Sequence, residues 1–206
     1  MTLHADLYWS FRSPYSYLAV DRYRAMTEDY DLAIDLRPIY PLALRQPDFF
    51  EKSHPNWLGY TVRDVIRLAD YHGIPLGQPR PDPIVQDIAT RRISADQPHI
   101  FRLVRLGQAA ARRGRSLAFC AEVARLIWGG TENWHEGGHL AAAAVRAGLD
   151  LADLDAEAEA DSAASTPKSP PTRPPSKPPA IGASPPWSSR ASRSSARTAS
   201  SWRCGG

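Results

Sequence analysis

The composition of this chain changes abruptly at about residue 161, and the change confines any packed core to the residues before it. All 22 acidic residues of the 206-residue chain lie at or before Asp161, whereas residues 162–206 contain twelve serines, nine prolines and no acidic residue. Such a segment buries too little apolar surface to offset the entropy lost on ordering. We therefore expect residues 162–206 to be a disordered tail.

Three interpretations of this tail stay open. It is a flexible linker, a basic arm that contacts acidic partners, or the product of a frame shift. With permitted codons, reading one base earlier from Ala164 onward allows a sequence that resembles a helix, a strand, a hairpin and a final helix. Under the third interpretation, the chain has lost the part that would complete its sheet.

The basic character of the whole chain comes from the tail alone. The net charge is +3, but seven of the 25 basic residues follow Asp161, which leaves 18 basic and 22 acidic residues and a charge of −4 in the body. The negative charge of the body gives no electrostatic support for binding to nucleic acid. No apolar run approaches the roughly 18 residues of a membrane span, and no secretory signal is visible. We expect a cytoplasmic protein with no nucleic-acid or membrane partner.

The first forty residues predict a strand, a helix and a second strand. Residues 3–10 read as a buried strand, and LAIDLRPIY, residues 32–40, reads as another. Between them, Ser13 is placed as a helix N-cap and Pro14 as the first helical residue, the pair that best suits a helix start. We therefore predict a βαβ unit over residues 1–40.

Between residue 41 and the tail the sequence shows helical patterns and no further convincing strand. Helical periodicity bounded by proline or glycine covers residues 54–73, 83–93, 97–114, 116–130, 139–148 and 151–161. We predict a helical domain and the start of a return helix over residues 41–161. Two parallel strands do not make a stable open sheet, so the α/β fold lacks closing strands in the chain as written.

The segment Ser13-Pro14-Tyr15-Ser16, between a strand and a helix, resembles a known family. It is similar to the DsbA-like thioredoxin-fold proteins in which the redox motif Cys-Pro-His-Cys has become Ser-Pro-x-Ser, the 2-hydroxychromene-2-carboxylate isomerase family, related to kappa-class glutathione transferases. The segments SFRSPYSYLA and RLADYHGIPLG carry the resemblance. It implies a thioredoxin-like βαβ with a large all-helical insertion.

The resemblance also implies an activity and a set of site residues. The activity is glutathione-dependent cis–trans isomerisation of 2-hydroxychromene-2-carboxylate or a similar intermediate of aromatic degradation, with Ser13 as the catalytic residue that activates the glutathione sulfur. The residues expected to contact glutathione are Ser13, Pro14, Asn56 and Trp57. Those expected to contact the small-molecule substrate are Phe11, Arg12 and Arg63. A homodimer is expected, and no metal.

Several alternatives stay open. Kappa-type glutathione conjugation uses the same thiolate, and a chain without closing strands is also compatible with an inactive frame-shifted protein or a non-catalytic binding module. Asn56 and Trp57 fit a helix N-cap and a core anchor equally well. Arg63, Arg80 and Arg92 could each meet a carboxylate.

Two further patterns favour structural roles. His135, Glu136 and His139 match the zinc motif HExxH, but the two glycines between Glu136 and His139 cost roughly 2 kcal/mol of helix propensity. We expect a loop there, with His139 at a helix start. Cys120 lies on the apolar stripe of a helix, so an inert core thiol is expected.

Overall fold

The computed structural model describes residues 1–87, 90 and 92–164; the rest of the tail, with the hypothetical shifted frame, lies outside the described residues. Strands β1 (Leu3–Trp9) and β2 (Leu32–Pro38) pair in parallel, with Leu3 opposite Leu32 and Trp9 opposite Pro38. Helix α1 (Pro14–Asp29) connects them. The predicted βαβ unit is therefore confirmed.

Strand β1 is less buried than the sequence predicts. Its first four residues are exposed, and only Leu7 and Trp9 contribute to the core. Within the described residues β1 pairs with β2 alone, so its other edge is open. An ion pair between Asp6 and Arg37 (2.7 Å) joins the two strands on the exposed side. The prediction that β1 is buried is thus wrong except at its carboxyl end. The alternation of apolar and polar residues within a strand does not show how many strands lie beside it, and burial depends on those neighbours.

Seven helices follow β2 in the described part of the chain. They are α2 (Leu42–Arg45), α3 (Phe49–Lys52), α4 (Asn56–His72), α5 (Ile100–Arg112), α6 (Ser116–Trp128), α7 (His139–Arg146) and α8 (Leu151–Ala164). The five longer ones confirm the predicted helices, whereas the single-turn α2 and α3 were not predicted. None of these helices combines the length and apolarity that crossing a membrane requires.

The helix predicted at residues 83–93 is wrong. Gln86 and Ile93 instead form an antiparallel bridge, and the amide of Ser94 donates to the carbonyl of Val85 at 3.0 Å. The buried Gln97 side chain accepts from the amide of Val85 and donates to its carbonyl, both at 2.9 Å. These bonds satisfy the backbone without a helix.

The core lies between the sheet and helices α5 and α6. Both helices pack on β2, α1 packs on α6 and β2, and α7 packs on α6. The largest fully buried side chains include Leu36, Leu103, Leu106, Phe119 and Ile127. Because α5 and α6 cover β2 directly, the strands and the helical segment share one core; the domain boundaries at residues 40 and 161 stay predictions.

Helix α8 is held to α5 by arginine–carboxylate pairs. Arg102 forms two hydrogen bonds with Asp155, at 2.8 and 2.7 Å. Arg112 and Arg113 both pair with Glu157. The arginine cluster at the end of α5 is thus part of a helix–helix contact. Helix α8 continues to Ala164, three residues into the segment predicted to be disordered.

Candidate functional site

The first turn of α1 brings a serine hydroxyl and a backbone amide together. Ser13 is the N-cap, with extended backbone, and its Oγ accepts a hydrogen bond from the amide of Ser16 at 3.3 Å. Pro14 occupies the first helical position, as predicted, and has no N–H. The amide of Tyr17 donates to the Ser13 carbonyl at 3.3 Å. Within the described residues the amide of Tyr15 has no hydrogen-bond acceptor, so it is available to a ligand.

This arrangement favours a negatively charged ligand atom. The positive end of the α1 dipole lies at Ser13. Within the described residues the Ser13 hydroxyl accepts a hydrogen bond but has no acceptor for its own proton. Because serine stands at both 13 and 16, this motif cannot form a disulfide or exchange dithiols. The chemistry that the turn supports is the stabilisation of an anion such as a thiolate.

A hydrogen bond ties this turn to α4. The phenol of Tyr15 donates to Asp64 Oδ2 at 2.8 Å. The pKa of Tyr15 is raised to about 12, first by burial, then by the hydrogen bond and the charge of Asp64, with a smaller effect of Tyr60. The phenol therefore stays protonated at neutral pH. The bond links α4 to the turn that contains Ser13.

Arg12 is held beside Ser13 by two partners distant in sequence. Its Nε lies 2.5 Å from Asp82 Oδ1, and its guanidinium carbon lies 5.7 Å from the centre of the Trp128 ring. The indole N–H of Trp128 donates to the carbonyl of Phe11 at 3.0 Å. The end of α6 and the loop that carries Asp82 are thereby joined to the segment that leads into α1.

The structure contradicts the expected substrate contact of Phe11. Its side chain is 1% exposed and packs edge-to-face against Trp9, with ring centres 6.4 Å apart. An aromatic ring at the end of a strand gains more from core burial than from solvent exposure. The role that the structure supports for Phe11 is packing, together with the carbonyl that holds Trp128.

Asn56 and Trp57 lie at the start of α4. Asn56 is the first helical residue rather than the N-cap, which is Pro55, so the alternative capping role is wrong. Trp57 is 37% exposed and packs against Phe49 and Phe50, with ring centres 5.7 Å from each, so it is not a fully buried anchor. Both side chains are accessible to a ligand, and their glutathione contacts stay predictions.

The three candidate arginines occupy different surroundings. Arg63 is exposed on α4, next to Asp64, and its Nε donates to the carbonyl of Gly59 at 3.1 Å. Arg80 pairs with Glu132 at 3.2 Å. Arg92 is exposed in the loop before α5. Of the three, Arg63 lies on α4, the helix that the Tyr15–Asp64 bond links to the first turn of α1.

The HExxH motif is not a helix. Gly137 has φ +57°, and α7 begins at His139, so His135 and His139 do not share one helix face. The left-handed backbone at Gly137 interrupts any helical turn between them. Within residues 1–87, 90 and 92–164, no three histidine, cysteine or acidic side chains are grouped as a metal site requires.

Two of the surface grooves formed by the described residues lie near the candidate elements. The larger, about 680 Å³, lies beside α1 and the ends of α4 and α6, with Tyr17, Pro75 and Arg125 in its wall. The other, about 470 Å³, lies between α2 and the loop that precedes α5. Neither is lined by Ser13 or by another predicted glutathione contact. The turn at Ser13 is therefore separate from both grooves.

The sequence misses the partners of the residues that flank Ser13, which are Phe11, Arg12 and Tyr15. Asp64, Asp82 and Trp128 belong to three separate elements, and Trp128 lies 117 residues from the carbonyl that it contacts. No local signal marks them, because an aspartate in a loop or an aromatic residue at a helix end is common. Cys120, by contrast, is fully buried, and burial raises its pKa well above the usual value, in agreement with an inert thiol.

Comparisons with known proteins agree with this architecture. The DsbA-like thioredoxin domain model matches residues 5–168. A solved structure of 2-hydroxychromene-2-carboxylate isomerase, in its selenomethionine form, is similar with a TM-score of 0.55 and 23% identity, over 77% of this chain and 72% of that one. Among curated proteins no match was found. The thioredoxin-like α/β fold is thus confirmed, and the chain belongs to the DsbA-like thioredoxin domain family.

Proposed function

We propose that this protein is a glutathione-dependent cis–trans isomerase of 2-hydroxychromene-2-carboxylate or a similar intermediate of aromatic degradation. The observation that carries the proposal is Ser13 at the N-cap of α1, where neither its hydroxyl proton nor the amide of Tyr15 has an acceptor among the described residues. Because serine replaces both redox cysteines, this motif cannot carry out dithiol exchange. Similarity to a solved isomerase supports the fold on which the proposal rests.

The residues of the turn fit a bound thiolate. A cysteine-type thiol has an ordinary pKa near 8.5, and a helix N-terminus together with hydrogen-bond donors lowers that pKa. Ser13 donates its hydroxyl proton, and Tyr15 donates its amide, to the same anion. When bound, glutathione would supply a sulfur nucleophile that adds reversibly to a conjugated double bond and so permits rotation.

The neighbouring residues would bind and orient the two ligands. Arg12 and Arg63 carry the positive charges that would attract the carboxylate of the substrate. Asn56 and Trp57 are accessible at the start of α4 for contacts with glutathione. The Tyr15–Asp64 hydrogen bond links α4 to the reacting turn. A homodimer is part of this proposal, to be tested by light scattering.

Substitutions at Ser13 separate helix capping from thiolate stabilisation. Ser13→Ala removes both, and loss of the cap alone costs about 1 kcal/mol of stability. Ser13→Asp keeps a good N-cap but places a negative charge where the sulfur anion would bind. Ser16→Ala is the matched control, because it keeps the amide that donates to Ser13. The measurements are thermal melting, glutathione titration, the pKa of the bound thiol from thiolate absorption, and isomerase rates.

The proposal predicts a specific pattern of results. Ser13→Asp should melt like the wild type, raise the pKa of the bound thiol, and lower the isomerase rate by about 100-fold, as the loss of a catalytic hydrogen-bond donor does. Ser16→Ala should change little. Conjugated product instead of isomerised substrate would indicate a kappa-type transferase. Wild-type protein that neither binds glutathione nor turns over substrate would refute the enzyme and favour a binding module.

A further inference from the structure

The ion pair between Arg12 and Asp82 differs from the structural ion pairs of this protein. Although Arg12 Nε lies 2.5 Å from Asp82 Oδ1, the angle between them makes no hydrogen bond, so this buried N–H has no acceptor within the described residues. Arg102, by comparison, forms two aligned hydrogen bonds with Asp155. The pair is thus a close contact of opposite charges without an aligned hydrogen bond. Because Nε is itself buried, a ligand would meet the terminal Nη groups of Arg12, which make no hydrogen bond within the described residues.

Both partners of this pair are held in place by other contacts. Asp82 Oδ1 accepts from the amide of Ile84 at 3.0 Å, and the indole of Trp134 donates to the carbonyl of Pro81 at 2.8 Å. The ring of Trp128 lies against the Arg12 guanidinium. Asp82 is therefore held independently of Arg12, and Arg12 keeps its contact with Trp128 when Asp82 is replaced.

A ligand can reach this pair. The Arg12 side chain is 31% exposed and that of Asp82 is 38% exposed. Arg12 directly precedes the N-cap of α1, where the helix dipole adds to its positive charge. Asp82 supplies the opposing charge. An incoming carboxylate would meet an attractive guanidinium and a repulsive carboxylate at the same point.

We propose that Asp82 is a specificity-determining residue that weakens carboxylate binding at Arg12, so that the site accepts a substrate carboxylate only when further contacts support it. The inference deepens the proposed function and rests on it for the identity of the substrate. A ligand carboxylate must compete with Asp82 for Arg12. A simple anion that makes no other contact therefore binds weakly. The planar guanidinium group is well suited to bind a carboxylate, because it can donate two parallel hydrogen bonds to it.

The test measures binding of salicylate to the full-length protein by ligand-observed NMR. Four proteins are compared: wild type, Asp82→Asn, Arg12→Gln and the double variant. Loss of one nearby negative charge should tighten salicylate binding to Asp82→Asn by about 3- to 10-fold. Arg12→Gln should weaken binding, and the double variant should show no gain over Arg12→Gln. Asp82→Ser, which keeps a hydrogen-bond acceptor for Ile84, replaces Asp82→Asn if the latter does not fold.

A matched control distinguishes a local effect from a change in net charge. Glu132 pairs with Arg80 near the same loop, and both side chains are well exposed. Glu132→Gln changes the net charge by the same amount and should leave salicylate binding unchanged. An equal gain in Glu132→Gln, no gain in Asp82→Asn, or a gain that persists without Arg12 would overturn the inference.

Glutathione titration of the same proteins separates this inference from the proposed function. If glutathione binds and Asp82→Asn does not tighten salicylate binding, only the role of Asp82 is refuted. If no protein binds glutathione but Asp82→Asn binds salicylate more tightly through Arg12, the carboxylate site stands and the isomerase proposal fails.

Discussion

Replacing Gly107 with alanine should destabilise the protein, although alanine is the better helix former. Gly107 is buried in α5, and a Cβ atom there would lie 2.7 Å from Pro38 Cγ and 3.3 Å from Phe11 Cε2. Carbon atoms pack best at about 3.5–4.0 Å, so α5 and the end of β2 would have to separate by roughly 1 Å. Both sides of this contact belong to the core.

The expected magnitude is a balance of two effects. Alanine in place of a helical glycine gains about 1 kcal/mol in propensity. Overpacking of a filled core costs about 1–3 kcal/mol, which leaves a net loss of up to about 2 kcal/mol. For a chain of this size the melting temperature would then fall by up to about 8 °C. Since Phe11 directly precedes Arg12 and Ser13, the shift would reach the candidate site.

The matched control is Gly59→Ala. Gly59 is an exposed residue of α4, and a Cβ atom there would have Arg63 Nη2 as its nearest neighbour, at 3.8 Å. This variant should gain about 1 kcal/mol from helix propensity alone. Urea unfolding followed by circular dichroism gives both free energies. If Gly107→Ala were as stable as Gly59→Ala, or more so, the close contact between α5 and β2 would be refuted.

Three further outcomes follow from contacts of single side chains. Asp64→Asn should lower the pKa of Tyr15 from about 12 toward its ordinary value, as read from phenolate absorption. Because the phenol of the folded wild type keeps its proton longer than that of the unfolded chain, wild-type stability should fall as pH rises from 10 toward 12, and less steeply in the variant. Arg102→Gln should lose about 1 kcal/mol by breaking the pair with Asp155, and less at high salt. With Cys204, the second cysteine of the chain, replaced by serine, Cys120 should react with a thiol reagent about 100-fold more slowly than free cysteine until the protein is unfolded.

The start of α1 could be predicted from sequence because its determinants are local. A serine whose hydroxyl accepts from the amide three residues later, followed by a proline with no amide to satisfy, defines a helix start within a few residues. The longer helices were predictable for the same reason, since an apolar stripe and flanking glycines or prolines lie within the element itself.

The segment 83–93 could not be predicted in this way. Its apolar spacing suits a helix, yet Gln97, twelve residues beyond Val85, satisfies both backbone groups of that residue. A side chain outside the segment thus decides the backbone conformation inside it. The exposure of β1 has a similar cause, because the number of strands beside it is not encoded in its own alternation.

The candidate site has two proposed roles, stabilising a sulfur anion and positioning a carboxylate substrate. The first depends on residues that are close in sequence, and the second depends on residues that the fold brings together. The groups that would stabilise a sulfur anion, Ser13 and the amide of Tyr15, come from three consecutive residues and depend on the first turn of α1 alone. The groups that would position a carboxylate substrate depend on Asp64 and Asp82, brought in by the fold from α4 and from the loop before α5. Changes in the first turn should therefore act on the pKa of the bound thiol. Changes at Asp64 or Asp82 should act on the KM for substrate and leave that pKa unchanged.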